Sequence, residues 1–397
     1  MAGTVRNASG NGRVALGMLA GAAVVGGSIA LGAGALAVAL ARRVLTPPSK
    51  RDEPERIVSV DLANHEIVLA ATDESRMRGR YSFWFNQESG HARLGDVLDE
   101  GVTTVRRRIE SVDFGRLERA RAGRFAGWWH LGPWELGHDY TNVVIDTPLG
   151  PAPAWHIPAD EPDGRWIVMV HGRGTRRQEG LRAVDAVRAA GWDSLLVSWR
   201  NDGEAPESAD RRYGLGGTEW PDVDAAIAYA RAHGARRIVL LGWSMGGAIS
   251  VQTVLHSAEA RDTVEGLILD SPAVDWSDIL RFQGGEIGLP ERFAGVVGDV
   301  LRSSRLLGLT GAEAPIDLDA LDAAAAADGL VAPVLVLHSV DDGFVPIDGS
   351  RRLAAARPDL VRLDEWAGAR HTKLWNQDPE RWEREVVGWL DALPPRD

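Results

Sequence analysis

The sequence predicts an α/β protein, a doubly wound and mostly parallel sheet with a small helical cap, preceded by a transmembrane helix and a short β-rich region. Three observations predict it. From about Tyr140 onward, short strand-like runs alternate with helical patterns, as they do when helices cross over between parallel strands. The runs at 166–170, 194–197, 238–241, 267–269 and 334–337 are continuously apolar, the pattern of strands buried on both faces. Residues 14–41 carry no charge and are bracketed by Arg13 and Arg42-Arg43. At about 1.5 Å per residue, a helix of that length exceeds the roughly 30 Å hydrocarbon core of a bilayer.

Composition removes several function classes. At 397 residues, 45% hydrophobic and 25% charged, the chain can bury a full α/β core, and global disorder is excluded. It has no cysteine, which excludes disulfides, thiolate zinc, iron–sulfur ligation and a cysteine nucleophile together. Net charge is −12 and uneven: residues 1–54 carry +4, leaving −16 on the remainder. Nucleic acid is therefore not an expected partner, because its phosphates require clustered cations.

Taken in order, residues 1–45 hold the N-terminal tail and the expected transmembrane helix. Gly17 and Gly21 have the small-xxx-small spacing that permits close helix packing in lipid. A cleaved signal would have an apolar region of only about 7–15 residues, so length favours an uncleaved single-pass anchor. Arg42, Arg43, Lys50 and Arg51 follow the run and Arg6 and Arg13 precede it, a margin that leaves the sidedness open. Residues 46–55, with Pro47, Pro48 and Pro54, read as a semi-rigid linker.

Residues 56–139 read as a β-rich accessory region. Strand patterns fall at 57–62, 66–69, 81–85 and 102–105, with Asn64-His65 turning between the first two. Trp128, Trp129 and Trp134 suggest a binding face or, more simply, the closing of a small core. Residues 140–397 carry the alternating pattern, with a helix over 222–230 and a last strand over 361–366. An irregular stretch at about 272–330 interrupts the alternation and would form the cap.

The strongest chemical signal is Gly242-Trp243-Ser244-Met245-Gly246-Gly247, which follows one buried strand and precedes a helix. A serine on so sharp a strand-to-helix turn needs small residues two positions to either side, because the segments approach closely there. The helix N-terminus beyond it favours developing negative charge. Ser244 is the candidate nucleophile, and it needs a base. Of ten histidines, only His256, His338 and His371 follow Ser244. His256 falls on the helix after the turn and His338 ends a buried strand, both structural positions. His371 lies in the loop after the last strand, where such sheets gather functional residues.

The loop after 333–338 contains Asp341 and Asp342, either of which could fix the histidine tautomer. Asp270, at the end of the preceding strand, is a further position for the acid. Two backbone N–H groups must hold a developing oxyanion. Met245, after the nucleophile, supplies one, and Arg173 in the loop His171-Gly172-Arg173-Gly174 is the best source of the other. His171 reads as a shaping residue of that loop. No metal-ligand spacing and no phosphate loop is present, so neither metal nor cofactor is expected.

With these motifs, from about Tyr140 to the C-terminus the chain resembles the α/β-hydrolase superfamily, nearest its serine-aminopeptidase-like and esterase branch. The likeness rests on the two loops and the turn quoted above, on His338-Ser339-Val340-Asp341-Asp342-Gly343-Phe344-Val345-Pro346 and on His371. It implies a Ser244–Asp342–His371 triad, since the family acid falls four residues after the strand's histidine. It also implies a serine hydrolase acting through an acyl-enzyme, on a small-molecule or lipid-like acyl ester. Amide cleavage by the same residues is the alternative, and a silent membrane-anchored binding module is another. Ser339 stands where the family usually has glycine, and Trp199-Arg200-Asn201-Asp202 replaces a more regular Arg-Gly-His-Gly run.

Overall fold

A computed structural model describes residues 32–394 of the chain. Most of the expected transmembrane run, through residue 31, lies outside the described residues. From residue 32 the chain is helix α1 (32–45), and its Ala37, Ala41 and Leu45 are buried in the largest core beside Tyr213 and Leu215. The end of the uncharged run therefore packs on protein. Among the described residues, no helix is long and apolar enough to cross a membrane.

The β-rich region is a closed antiparallel barrel of six strands: β1 (Glu55–Asp61), β2 (Glu66–Ala70), β3 (Tyr81–Phe85), β4 (Gly90–Glu100), β5 (Thr104–Phe114) and β6 (Ala122–Ala126). Their order is β1-β2-β5-β4-β3-β6, with β6 pairing back onto β1. Ile67, Leu69, Phe83, Phe85, Leu94, Ile109 and Phe125 fill the interior. The expected strand at 102–105 is corrected: Val102 is 93% exposed in a turn, and β5 runs on to Phe114. Burial alternates along Val105, Arg107 and Ile109 with period two, but an inward arginine conceals the alternation in the sequence.

Arg107 is fully buried and donates to the carbonyls of Gly95, Ser75, Met77 and Gly79, ringed by Tyr81 and Phe125. Burial pulls its pKa down to about 10, so it stays charged at neutral pH. A second buried polar group joins Ser82, His91 and Asp113. His91 Nε2 lies 2.8 Å from Ser82 Oγ, and its Nδ1 lies 2.7 Å from Asp113. The Ser82 hydroxyl donates to the carbonyl of Trp128.

The second domain is an eight-stranded sheet of β7 (Thr141–Thr147), β8 (Gly150–Ile157), β9 (Arg165–Val170), β10 (Asp193–Val197), β11 (Arg237–Trp243), β12 (Val264–Asp270), β13 (Val334–Ser339) and β14 (Val361–Trp366). The order is β14-β13-β12-β11-β9-β10-β8-β7, parallel from β14 to β10, with β8 and β7 antiparallel at the end. Pro151 and Pro153 sit in β8 where β10 does not pair, because β10 takes only 154–157. Helices cover both faces: α2 (Val184–Ala189), α3 (Trp220–Ala232), α4 (Met245–His256), α5 (Ala258–Thr263), α9 (Asp348–Ala356), α10 (Leu374–Gln377) and α11 (Pro379–Ala392), with α6 (Trp276–Glu286), α7 (Arg292–Arg302) and α8 (Leu307–Thr310) between β12 and β13.

One face of the sheet packs against α1, α3, α4 and the inserted helices, and the other against α2 and α11. Barrel and sheet share the second core: Trp129, which follows β6, is buried there beside Trp155 and Trp375. Trp128 is buried against Trp84, whereas Trp134 is 63% exposed, so only the last remains free of a core.

Arg107→Leu should remove four carbonyl partners from the barrel interior at once. We expect a loss of at least about 3 kcal/mol of stability, because each buried acceptor left unpaired costs about 1–3 kcal/mol. Urea unfolding followed by tryptophan fluorescence would measure it, and an unchanged midpoint would contradict it.

Candidate active site

The parallel register brings the C-terminal ends of β9, β11, β12, β13 and β14 to one edge of the sheet. Ser244 stands on the turn after β11 with φ 50° and ψ −118°, a conformation costly for a residue with a side chain. The tightness of the turn explains its glycines. A Cβ on Gly246 would lie 2.0 Å from the Val170 carbonyl, and one on Gly242 would lie 2.5 Å from that of Gly246. Ser271 and Thr372 also have positive φ, and the Ser271 hydroxyl accepts from the Thr372 N–H at 3.2 Å. Three of the ten non-glycine residues with positive φ among the described residues thus meet around one point.

Three of the candidate residues meet there. His371 Nε2 lies 2.9 Å from Ser244 Oγ, and His371 Nδ1 lies 2.7 Å from Asp342 Oδ2. The other Asp342 oxygen accepts from the N–H groups of Phe344 and Val345 at 2.8 and 2.9 Å. Burial works to raise the Asp342 pKa, but the imidazoles of His371 and His338 outweigh it and hold the carboxyl below its ordinary range. Asp341 instead receives the Gly368 N–H at 2.6 Å and so ties down the loop that carries His371. Asp270 is committed elsewhere, accepting from Trp382 Nε1 and the Ser271 hydroxyl, both at 2.9 Å.

The remaining candidates fall around this center. Gly172 approaches Ser244 so closely that a Cβ would lie 3.2 Å from the Ser244 Cβ. The backbone N–H groups of Arg173 and Met245 have no hydrogen-bond partner among the described residues. His171 is buried, stacked on Trp199, with Nε2 3.2 Å from Asp202. The departure at 199–202 therefore supplies the partner for the histidine of this loop. His256 bonds Gln252 on its own helix.

Several contributors carry no motif signal. His338 lies 3.4 Å from Asp342 and is itself held by Ser350 at 2.8 Å. Glu179 accepts the Gly172 N–H at 2.7 Å. Arg182, fully buried, donates to Gly127 of the barrel and to Thr372 beside His371 at 3.2 and 2.7 Å. The Arg173 guanidinium donates to the carbonyls of Val44, Arg43 and Thr46, capping the end of α1. Only the loss of solvent contact selects these groups, and that is invisible in sequence.

Comparison with known proteins agrees with the topology. Residues 165–309 match the family model described as the alpha/beta hydrolase fold. An esterase structure from Pyrococcus furiosus superposes at a TM-score of 0.51, with 16% identity over 67% of this chain and 97% of that one. The second domain has the α/β-hydrolase fold. Among curated proteins, the Vibrio cholerae multifunctional-autoprocessing repeats-in-toxin is 24% identical over 224 residues. That match spans 55% of this chain but only 4% of the toxin's length. The uncharacterized protein YqkD of Bacillus subtilis is 23% identical over 64% of this chain and 80% of its own. The barrel, at residues 56–126, matches a family model described as a domain of unknown function, DUF8805.

Gly246→Ala places its new carbon against fixed backbone of the neighboring strand. We expect a lowered melting temperature, from a cost of about 1–3 kcal/mol for an overpacked site. Thermal unfolding would detect it, and an unchanged midpoint would mean that the turn relaxes.

Proposed function

We propose that this protein is a membrane-anchored serine hydrolase cleaving carboxylic esters. The observation that carries the reading is the continuous hydrogen-bonded chain Ser244–His371–Asp342, on a strained turn at a helix N-terminus. Ser244 Oγ attacks the acyl carbon while His371 Nε2 takes its proton. The oxyanion is held by the N–H groups of Arg173 and Met245. Collapse breaks the bond to the leaving oxygen, which takes the proton from His371 and departs as the alcohol. Water then attacks the acyl-enzyme by the same proton path, releasing the acid and restoring Ser244. Asp342 holds the imidazole in the right tautomer and offsets its charge during turnover.

An apolar groove supports a lipid-like acyl group. A cavity of about 780 Å³ runs between α1, the linker and the inserted helices, apolar on its helical side, where Leu40, Ile279, Leu280 and Phe293 line it, and charged toward the linker at Lys50 and Asp52. Phe344 also packs against His371, with ring centroids 5.2 Å apart, so one wall of the groove borders the reacting center. The inserted helix α6 is tied there by Gln283, which donates to the Phe344 carbonyl at 2.9 Å.

Ser244→Ala should abolish labelling by a fluorophosphonate probe and lower kcat by roughly 10⁴–10⁶ with folding intact. Asp342→Asn should cost about 10³–10⁴ in kcat, whereas Asp341→Asn should cost under about tenfold. Equal labelling of wild type and Ser244→Ala would refute the nucleophile, and the reverse ranking of the aspartates would move the acid.

The uncharged run from residue 14 motivates the anchor. The full chain should stay in the membrane fraction through alkaline carbonate washing, and a chain beginning at residue 32 should be released with its ester hydrolysis retained. A cut at residue 54 should be worse, because it also removes α1 and a wall of the groove. A mature N-terminus near Arg42 would refute anchoring.

A further inference from the structure

A second pocket, of about 330 Å³, opens on His371 between the barrel and the sheet domain. We propose that it is an anion subsite that receives the phosphate of the leaving alcohol, making the preferred substrate an acyl ester of a small phosphorylated alcohol. This rests on the ester-hydrolase reading above and adds the identity of the leaving group.

Position comes first. The apolar groove and this pocket share Arg51, Arg173 and Phe344 as a common boundary, and the imidazole that would protonate the leaving oxygen lies in the second. An acyl chain in the groove therefore directs the alcohol portion of an ester toward the barrel.

Charge comes second. In a chain of net charge −12, this pocket is lined by Arg51, Arg124, Arg173, Arg370 and Lys373. Two carboxylates, Glu74 and Glu179, line it as well. Glu179 is occupied by Gly172, by the Thr175 hydroxyl at 2.8 Å and by the nearby Arg182. Glu74 pairs with Lys373 at 2.9 Å and reaches Arg370 only at 4.0 Å. Outside the lining, Glu88 serves Arg124 at 2.6 Å and Arg51 at 3.3 Å, and the exposed Asp73 lies 3.6 Å from Arg370. Cations thus outnumber the carboxylates that neutralize them.

Unmet hydrogen bonding comes third. The Nε groups of Arg124 and Arg370 are buried and lack a partner among the described residues, as do those of Arg80, Arg177, Arg182 and Arg212, of which none lines this pocket. Both side chains line the pocket beside the imidazole of His371, so a ligand there meets two guanidinium groups whose hydrogen bonding is not fully used. Arg173 is not available, since its guanidinium caps α1. The other arginines come from different domains: Arg124 from β6 and Arg370 from the loop of His371, where its Nη1 donates to the Asp341 carbonyl at 3.0 Å. Guanidinium pairs favor phosphate, whose several oxygens can be held at once. The barrel then has a task, because without it Arg124 and one wall of the pocket are absent.

The test compares octanoyl glycerol with octanoyl glycerol 3-phosphate, using the full chain below the micellar concentration of either ester. We expect kcat/KM to be at least about tenfold higher for the phosphate ester, the discrimination that one or two charge-assisted hydrogen bonds provide. The ratio should fall toward one in Arg124→Gln and in Arg370→Gln, recover in part in Arg124→Lys, and decrease with added salt. By calorimetry, glycerol 3-phosphate should bind wild type and bind both Gln variants more weakly. A wild-type ratio of one, or a preference that survives both substitutions, would overturn the proposal. So would equal hydrolysis of a matched ester with carboxylate in place of phosphate. Failure to hydrolyze any ester together with absent probe labelling would instead remove the underlying ester-hydrolase reading, and the calorimetry would still decide the anion site by itself.

Discussion

The architecture around the candidate site depends on one buried guanidinium. Arg182 has no exposed side-chain surface, yet it reaches two parts of the chain far from it in sequence: Gly127 after β6, and the segment of Thr372 beside His371 and Asn376 in α10. Its neighbor Glu179 holds the Gly172 N–H, so the pair also reaches the loop of Arg173. Burial lowers the Arg182 pKa, but an arginine keeps its proton, and the charge must be met by carbonyls and by Glu179. A buried cation with fixed partners allows few alternative arrangements. The barrel, the histidine loop and the loop after β9 are consequently held in one geometry, and the side chain that holds them does no chemistry itself.

The barrel offers an instructive contrast. Ser82, His91 and Asp113 repeat the residue types and nearly the distances of Ser244, His371 and Asp342. There the serine hydroxyl is spent on the Trp128 carbonyl, and both serine and histidine are sealed from solvent. Burial also lowers the His91 pKa. Ser244 differs in its strained backbone, in the helix N-terminus behind it and in the pocket that His371 faces. Three residues in a hydrogen-bonded row fasten a core as readily as they activate a nucleophile, and the backbone and access around them distinguish the two cases.

What could be read from the sequence follows the same physics. The parallel strands were legible because burial on both faces leaves continuous apolar runs, and the turn at Ser244 because its glycines answer steric demands measurable in the structure. The order Ser244, Asp342, His371 followed from loops at successive strand ends, although the choice of Asp342 over Asp341 came from resemblance. The barrel was only half legible: Arg107 inside β5 breaks the apolar alternation, and its four carbonyl partners come from segments 12 to 32 residues away. β8 was hidden by two prolines that a partly unpaired strand tolerates. Helix α1 exposed a deeper ambiguity. A run of alanine, glycine and leucine suits lipid and a protein core equally, and only the neighbors of Ala37, Ala41 and Leu45 decide for those positions.

Arg173 ties the end of α1 directly to the loop after β9. Its side chain grips the last carbonyls of α1, while its own peptide N–H is the proposed oxyanion donor. The linkage between them is a single residue, with no loop to absorb slack. A substitution that shifts the last turn of α1 is therefore felt at the peptide plane beside Ser244. In that sense α1 is a brace, and its seating in the core sets how that N–H is aimed.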